Sequence, residues 1–137
     1  MKLVHTICYF SKAIEELTHE DIYEIFGKTD KNNNKAGITG ILLHSLGNFF
    51  QVLEGDEKQI TDLYKNKIKL DSRHHNLFEV INKREHKPIF AQYDSRFQTV
   101  DNKEQLDEIK QYLASQAIQS STSEKIARLL KSFVILD

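Results

Sequence analysis

Two stretches of this chain carry side chains out of keeping with their surroundings. Asn32-Asn33-Asn34 precedes Lys35-Ala36-Gly37-Ile38-Thr39-Gly40, and Gln51 interrupts the apolar run Phe49-Phe50-Gln51-Val52-Leu53, which ends in Glu54-Gly55. A primary amide carries both donors and an acceptor. Burying one without partners costs about 1–3 kcal/mol. An amide inside a strand therefore calls for something polar and planar to bond, and a ligand meets that need. Tyr9 closes another apolar run, Leu3-Val4-His5-Thr6-Ile7-Cys8-Tyr9. Its phenol, with an ordinary pKa of about 10, is neutral at pH 7 and holds a proton that it can give up. An amide exchanges its donor and acceptor ends by reorienting, so Gln51 is a natural two-state element. His74-His75 raises the question of a metal. Adjacent histidines on a short connection rarely converge on one ion and no acid or cysteine cluster supports them, so no metal site is expected.

These side chains need a scaffold, and the chain is long enough to build one. Its 137 residues suit a single domain with its own core. Charged residues make up 28% and hydrophobic ones 39%, ordinary for a globular protein. A formal net charge of -1 provides no global field for nucleic acid or an anionic membrane, and neither is expected as a partner. No apolar run reaches the roughly 18 residues of a spanning helix, and the N-terminus lacks a signal-peptide pattern. The one cysteine, Cys8, has no internal partner for a disulfide. A reduced, cytoplasmic setting is expected.

Leu3 to Tyr9 reads as a first strand. Thr18 caps a helix with Asp21 three residues on, and Ile22, Ile25 and Phe26 mark its apolar face; it should run out near Asp30. Gly37 to His44 is a second strand, and Leu46-Gly47-Asn48 turns it into a third, Phe49 to Leu53. Asp56-Glu57 opens a second helix with a buried stripe of Ile60, Leu63, Tyr64 and Ile68. Two further strands are expected around Leu77 to Ile81 and Ile89 to Phe97. Lys103 to Gln116 reads as an amphipathic helix, and after the polar break at Gln119-Ser120-Ser121-Thr122-Ser123 another carries Ile126, Leu129, Leu130 and Phe133. No internal repeat is present. The expected class is α+β, a ferredoxin-like β-α-β-β-α-β-β sheet with two flanking helices plus two C-terminal helices. Those last helices are too short for an independent domain and should pack on the sheet or on a partner.

Residues 1 to about 100 resemble a BLUF domain, a blue-light sensor that uses a flavin. The matching pieces are Tyr9-x-Ser11, Asn32-Asn33, Ile38-Thr39-Gly40, Phe50-Gln51-x-Leu53-Glu54-Gly55 and Asp71-x-Arg73-His74. Each is weak alone; their order and spacing make the match strong. The resemblance implies a flavin, FAD ahead of FMN, slotted between the two helices of the main domain. Asn33, assisted by Asn32, would bond the pyrimidine edge of its ring, and Ile25, Phe26 and Ile68 would form apolar walls. Gln51 would bridge the flavin and Tyr9. On illumination Tyr9 would give up an electron and a proton, and Gln51 would rearrange to donate a new hydrogen bond, moving the absorption to longer wavelength. Lys67 stands close to where the family commonly has an arginine; a lysine keeps the charge without the planar fork. Asp71 and Arg73 either pair as a structural corner or contact the cofactor, as would His74.

One departure concerns the last strand, where the family usually has Trp and Met close to the glutamine. Tyr93 and Ser95 take those positions here, as the expected signal relay, and Ser95 is expected to bond Gln51 or nearby backbone in one state. The implied division is a photosensor over 1–100 and a helical extension over 101–137. No enzymatic output is expected, because nothing after Val100 carries motifs for one. The partners expected are the flavin, an unidentified downstream protein and a second copy of the chain. A small ferredoxin-like enzyme is the weaker alternative, since Phe10-Ser11-Lys12-Ala13 lacks the glycines and arginine of a phosphate cradle. A chromophore-free interaction module would have no use for Tyr9, Asn33 and Gln51.

Overall fold

The structure, a computed structural model, describes residues 4–93 and 95–135. Leu3, the expected start of the first strand, lies outside them. The elements are β1 (Val4–Ala13), α1 (His19–Lys35), β2 (Thr39–Ser45), β3 (Asn48–Gly55), α2 (Glu57–Leu63), β4 (His74–Glu85), β5 (Phe97–Val100), α3 (Lys103–Gln116) and α4 (Ser121–Leu130). The strands form one five-stranded sheet in the order β4-β1-β3-β2-β5, antiparallel except for the β2–β5 pair. This is the α+β, ferredoxin-like plan with an added edge strand.

Alternation along the central strands divides the core in two. Ile7, Tyr9, Leu42, Phe49 and Leu53 join Phe26, Ile60 and Tyr64 on the face covered by α1 and α2. Cys8, Ile41, Leu43, Phe50 and Val52 join Leu106, Ile109, Leu113, Ile126, Leu130 and Phe133 on the face covered by α3 and α4. The C-terminal helices thus pack on the sheet of their own chain.

Local chemistry explains the boundaries. Thr18 and Asp21 form a reciprocal capping box at the start of α1. The helix continues to Lys35, past the expected stop near Asp30, because the three asparagines form its last turns. The modest helix propensity of asparagine is offset at Asn34, whose side chain bonds both backbone groups of Phe97. After α2, Tyr64–Ile68 winds as one π-helical turn, closed by Lys69 N–H donating to the Tyr64 carbonyl at 3.0 Å. Such turns take up an extra residue and recur at functional sites.

The last strand needs correction. The segment expected as a strand from Ile89 to Phe97 is largely a pair of turns, and β5 begins only at Phe97. The reason lies in Glu54, which is 1% exposed. Its carboxylate accepts from the backbone N–H of Ile89 and of Phe90, both at 2.9 Å, and from the Thr6 hydroxyl at 3.0 Å. Those two amides are therefore taken away from a strand ladder. Ile89 and Phe90 are both buried although adjacent, which no half-buried strand permits. Tyr93 and Arg96 then close two turns, Arg96 at φ 58. Burial raises the Glu54 pKa against the opposing pull of those bonds. β4 in turn is longer than the expected Leu77 to Ile81. As an edge strand it is exposed along most of its length, and Asn82-Lys83-Arg84-Glu85 suits that position.

Candidate functional site

A cavity of about 470 Å³ opens between α1, the turn after α2 and one face of the sheet, within the range of small-molecule sites. Its floor is set by strand register. Tyr9 stands directly opposite Gln51 in the β1–β3 pair, and Leu42 opposite Gln51 in the β2–β3 pair. Side chains of directly opposed residues lie within bonding reach, and the Tyr9 hydroxyl donates to Gln51 Oε1 at 2.5 Å. On its other side Tyr9 adjoins a register shift between β1 and β4, of the kind that re-aims a side chain. Tyr9 and Gln51 are each 4% exposed. Burial, first of all, and then neighbouring Tyr64 and Asp71 push the Tyr9 phenol well above its ordinary pKa. It is therefore protonated at neutral pH.

Asn33 lines the opposite wall from the C-terminal end of α1. It is buried, and its Nδ2 has no hydrogen-bond partner among the described residues. A buried N–H donor without a partner is costly and rare in a protein by itself, so this amide is shaped for an acceptor on a bound molecule. Asn32 lies beside it at the exposed edge. Ile25 and Ile68 line the cavity with apolar surface. Phe26 does not reach the cavity and sits behind it in the core.

The mouth carries Lys67, Asp71, Arg73 and His74. Arg73 binds Asp71 through two guanidinium nitrogens, Nε at 2.9 Å and Nη2 at 2.5 Å, and also through its backbone N–H. The pair forms a structural corner, and both residues also line the cavity. The Arg73 bond holds the Asp71 carboxyl below the usual carboxylate range. His74 Nε2 donates to the Ile68 carbonyl at 2.6 Å, which leaves Nδ1 to accept from the Ser11 hydroxyl at 2.6 Å in the neutral ring. This one side chain ties the π-helical turn to β1 two residues beyond Tyr9.

Further lining residues are Lys28, Thr29, Leu42, Phe49 and Leu63. Helical spacing could have found Lys28 and Thr29, three and four residues from Ile25, and strand register could have found Leu42 and Phe49. Tyr93 and Ser95 are not part of the cavity. Tyr93 packs against Phe90 and Tyr112 with ring centroids 5.7 and 5.0 Å away and donates to Gln98 Oε1. Burial raises its pKa to about 12. Ser95 is exposed, and its hydroxyl interacts with Tyr93 rather than with Gln51. The turns that replace the expected strand carry both residues off the Gln51 face.

A family model described as "BLUF: Sensors of blue-light using FAD" matches residues 4–96. The chain belongs to the BLUF family. It is 33% identical over 79 residues to the blue light- and temperature-regulated antirepressor BluF of Escherichia coli K12, a stretch covering 58% of this chain and 19% of that protein. It is 36% identical over 69 residues to the photoactivated adenylate cyclase subunit beta of Euglena gracilis, covering 50% and 8%. This BLUF chain thus spans less than a fifth of these relatives. A solved structure described as "BlrP1 BLUF" superposes with a TM-score of 0.74 at 25% identity, covering 98% of this chain and 91% of that one. The chain is accordingly a flavin-binding blue-light sensor by family. Among the described residues no helix is long and apolar enough to cross a membrane, and no group of side chains is arranged to hold a metal.

Proposed function

We propose that this chain binds its flavin non-covalently in the cavity between α1 and the π-helical turn and switches a Tyr9–Gln51–flavin hydrogen-bond network on illumination. The observation that carries this reading is the Tyr9-to-Gln51 bond on the floor of a cavity whose opposite wall offers the unpartnered Asn33 Nδ2. A bound flavin would supply blue-light absorption and an acceptor for the electron and proton that Tyr9 gives up. Tyr9 holds the proton to be given up, at the only hydroxyl bonded to Gln51 among the described residues. Gln51 presents its acceptor end to Tyr9, so its donor end is free for a ring atom. Loss of the Tyr9 proton removes the donor that holds the amide in this orientation, and reorientation then follows.

Asn33, with Asn32, fixes the polar edge of the ring, and Ile25 and Ile68 exclude water from its faces. Lys28, Lys67 and Arg73 around the mouth favour a phosphate-bearing flavin. The wording of the family description favours FAD. Residues 1–100 act as the sensor and residues 101–137 as the extension that meets a partner, a downstream protein or a second copy of the chain, in the cytoplasm. The relatives are named for an antirepressor and for cyclases. By analogy this segment relays light to another protein and performs no catalysis itself.

Cofactor extraction tests the binding. Heat-unfolded protein is expected to release one flavin per chain, co-eluting with FAD. A colourless protein that takes up neither added FAD nor added FMN contradicts the reading.

A further inference from the structure

Asn34 stands beside the cavity amide but faces elsewhere. Consecutive helix residues point about 100° apart, and where Asn33 lines the cavity, Asn34 reaches the edge of the sheet. Its Oδ1 accepts from the backbone N–H of Phe97 at 3.0 Å, and its Nδ2 donates to the Phe97 carbonyl at 3.0 Å. Asp30, one turn earlier, accepts from the same Nδ2 at 3.2 Å and orients it. The side chain thus behaves as a neighbouring strand would, satisfying both backbone groups of one residue.

Phe97 begins β5, which has only four residues and pairs in parallel with β2 alone. Its start is fastened by Asn34, with the preceding Arg96 carbonyl accepting from Gly40 N–H at 3.0 Å. Its end, Val100, is two residues from Asn102, whose side chain caps α3 by accepting from Gln105 N–H at 2.8 Å. The Phe97 side chain is 1% exposed and shares a core cluster with Tyr9, Leu42 and Phe49. The last turn of α1 therefore holds the cavity on one residue and the root of β5 on the next, with Tyr93 and Ser95 lying off this line.

We propose that Asn34 is a positioning residue that couples the state of the cavity to β5 and, through it, to α3. The inference rests on the light-sensing reading above. Any shift of the last turn of α1 that re-seats Asn33 drags Asn34, and the two-point clamp passes the shift to Phe97 because a paired donor and acceptor resist sliding.

The test is hydrogen–deuterium exchange over residues 97–116 in darkness and under blue light, with the absorption spectrum recorded on the same flavin-loaded samples. The native chain is expected to show a light–dark difference in exchange there. Asn34→Ala is expected to keep the spectral shift, to speed exchange at Phe97 about tenfold in darkness, and to lose most of the light–dark difference. Should Asn34→Ala fail to retain flavin, Asn34→Asp is compared instead; it keeps the acceptor for Phe97 N–H and loses the donor. A light–dark difference of native size in the variant overturns the proposal even if exchange is faster in both states, since that is the mark of a merely structural clamp. A native chain with a spectral shift and no exchange difference in 97–116 also overturns it, leaving the photosensor reading intact. A native chain with no spectral shift removes that reading and this proposal together.

Discussion

Tyr9→Phe is expected to leave the flavin bound and to abolish the reversible light-induced shift of its absorption band. The substitution deletes one oxygen and keeps the ring, which packs at 5.9 Å from Tyr64 and 6.2 Å from His74 by centroid distance. The fold loses a single hydrogen bond. An amide acceptor left unpaired in a buried site costs about 1–3 kcal/mol, within the margin of an ordinary domain. The photochemical loss is expected to be total by contrast, because phenylalanine has no proton to give and no hydroxyl to hold Gln51 in one orientation. Difference absorption spectra before and after blue light decide the matter. A shift of native size in Tyr9→Phe would mean that the Tyr9–Gln51 bond is only structural.

Gly40→Ala is expected to have the largest effect on stability. Gly40 lies in β2 at φ 137, a region closed to side chains, and an added Cβ would sit 1.9 Å from the Val52 carbonyl oxygen of the neighbouring strand. The nearest atoms it would meet are all backbone of β3, at Val52 and Leu53, so nothing flexible can yield. Restoring contact distance would pry β2 from β3 directly beside Leu42 and Gln51. The expected destabilisation is about 4 kcal/mol or more, into the range reserved for a few named mechanisms. Thermal unfolding in the flavin-free protein should fall by roughly 10 °C or more for a domain of this size. Gly37→Ala is the control. Its φ of 75 is strained for alanine but its Cβ would meet nothing within 4 Å, so a loss of only about 1–2 kcal/mol is expected. Equal melting temperatures for the two variants would contradict the steric account.

The site was readable from the sequence where chemistry and context disagreed. Gln51 in an apolar run and the Asn32-Asn33 pair both mark amides in need of partners. The structure brings Gln51, bonded to Tyr9, and Asn33, whose Nδ2 is unpartnered among the described residues, to the same cavity. Tyr9 was found by its place in a strand-end motif, and register to Gln51 follows once β1 and β3 are paired. The segment from Ile89 to Phe97 escaped because β-favouring residues look alike in a strand and in a buried turn. Only the distant Glu54 carboxylate, 35 residues earlier, decides between them. Sequence pattern is blind to such a bond. A helix ending near Asp30 is what local pattern supports, whereas Asn34 is held in the helix by Phe97, 63 residues away. The π-helical turn was also hidden, since the stripe Ile60, Leu63, Tyr64 and Ile68 reads as regular until the extra residue is placed. Tyr93 and Ser95 are assigned to the relay by resemblance and by spacing from Phe90, and such spacing does not register that turns rather than a strand lead into Phe97.

The most direct test of a light-switched amide between Tyr9 and a flavin is the visible spectrum of the purified native protein in darkness, under blue light, and in darkness again. The predicted result is a flavin band that moves slightly to longer wavelength under light and returns unaided. A flavin band that bleaches, or that stays in place, would contradict it.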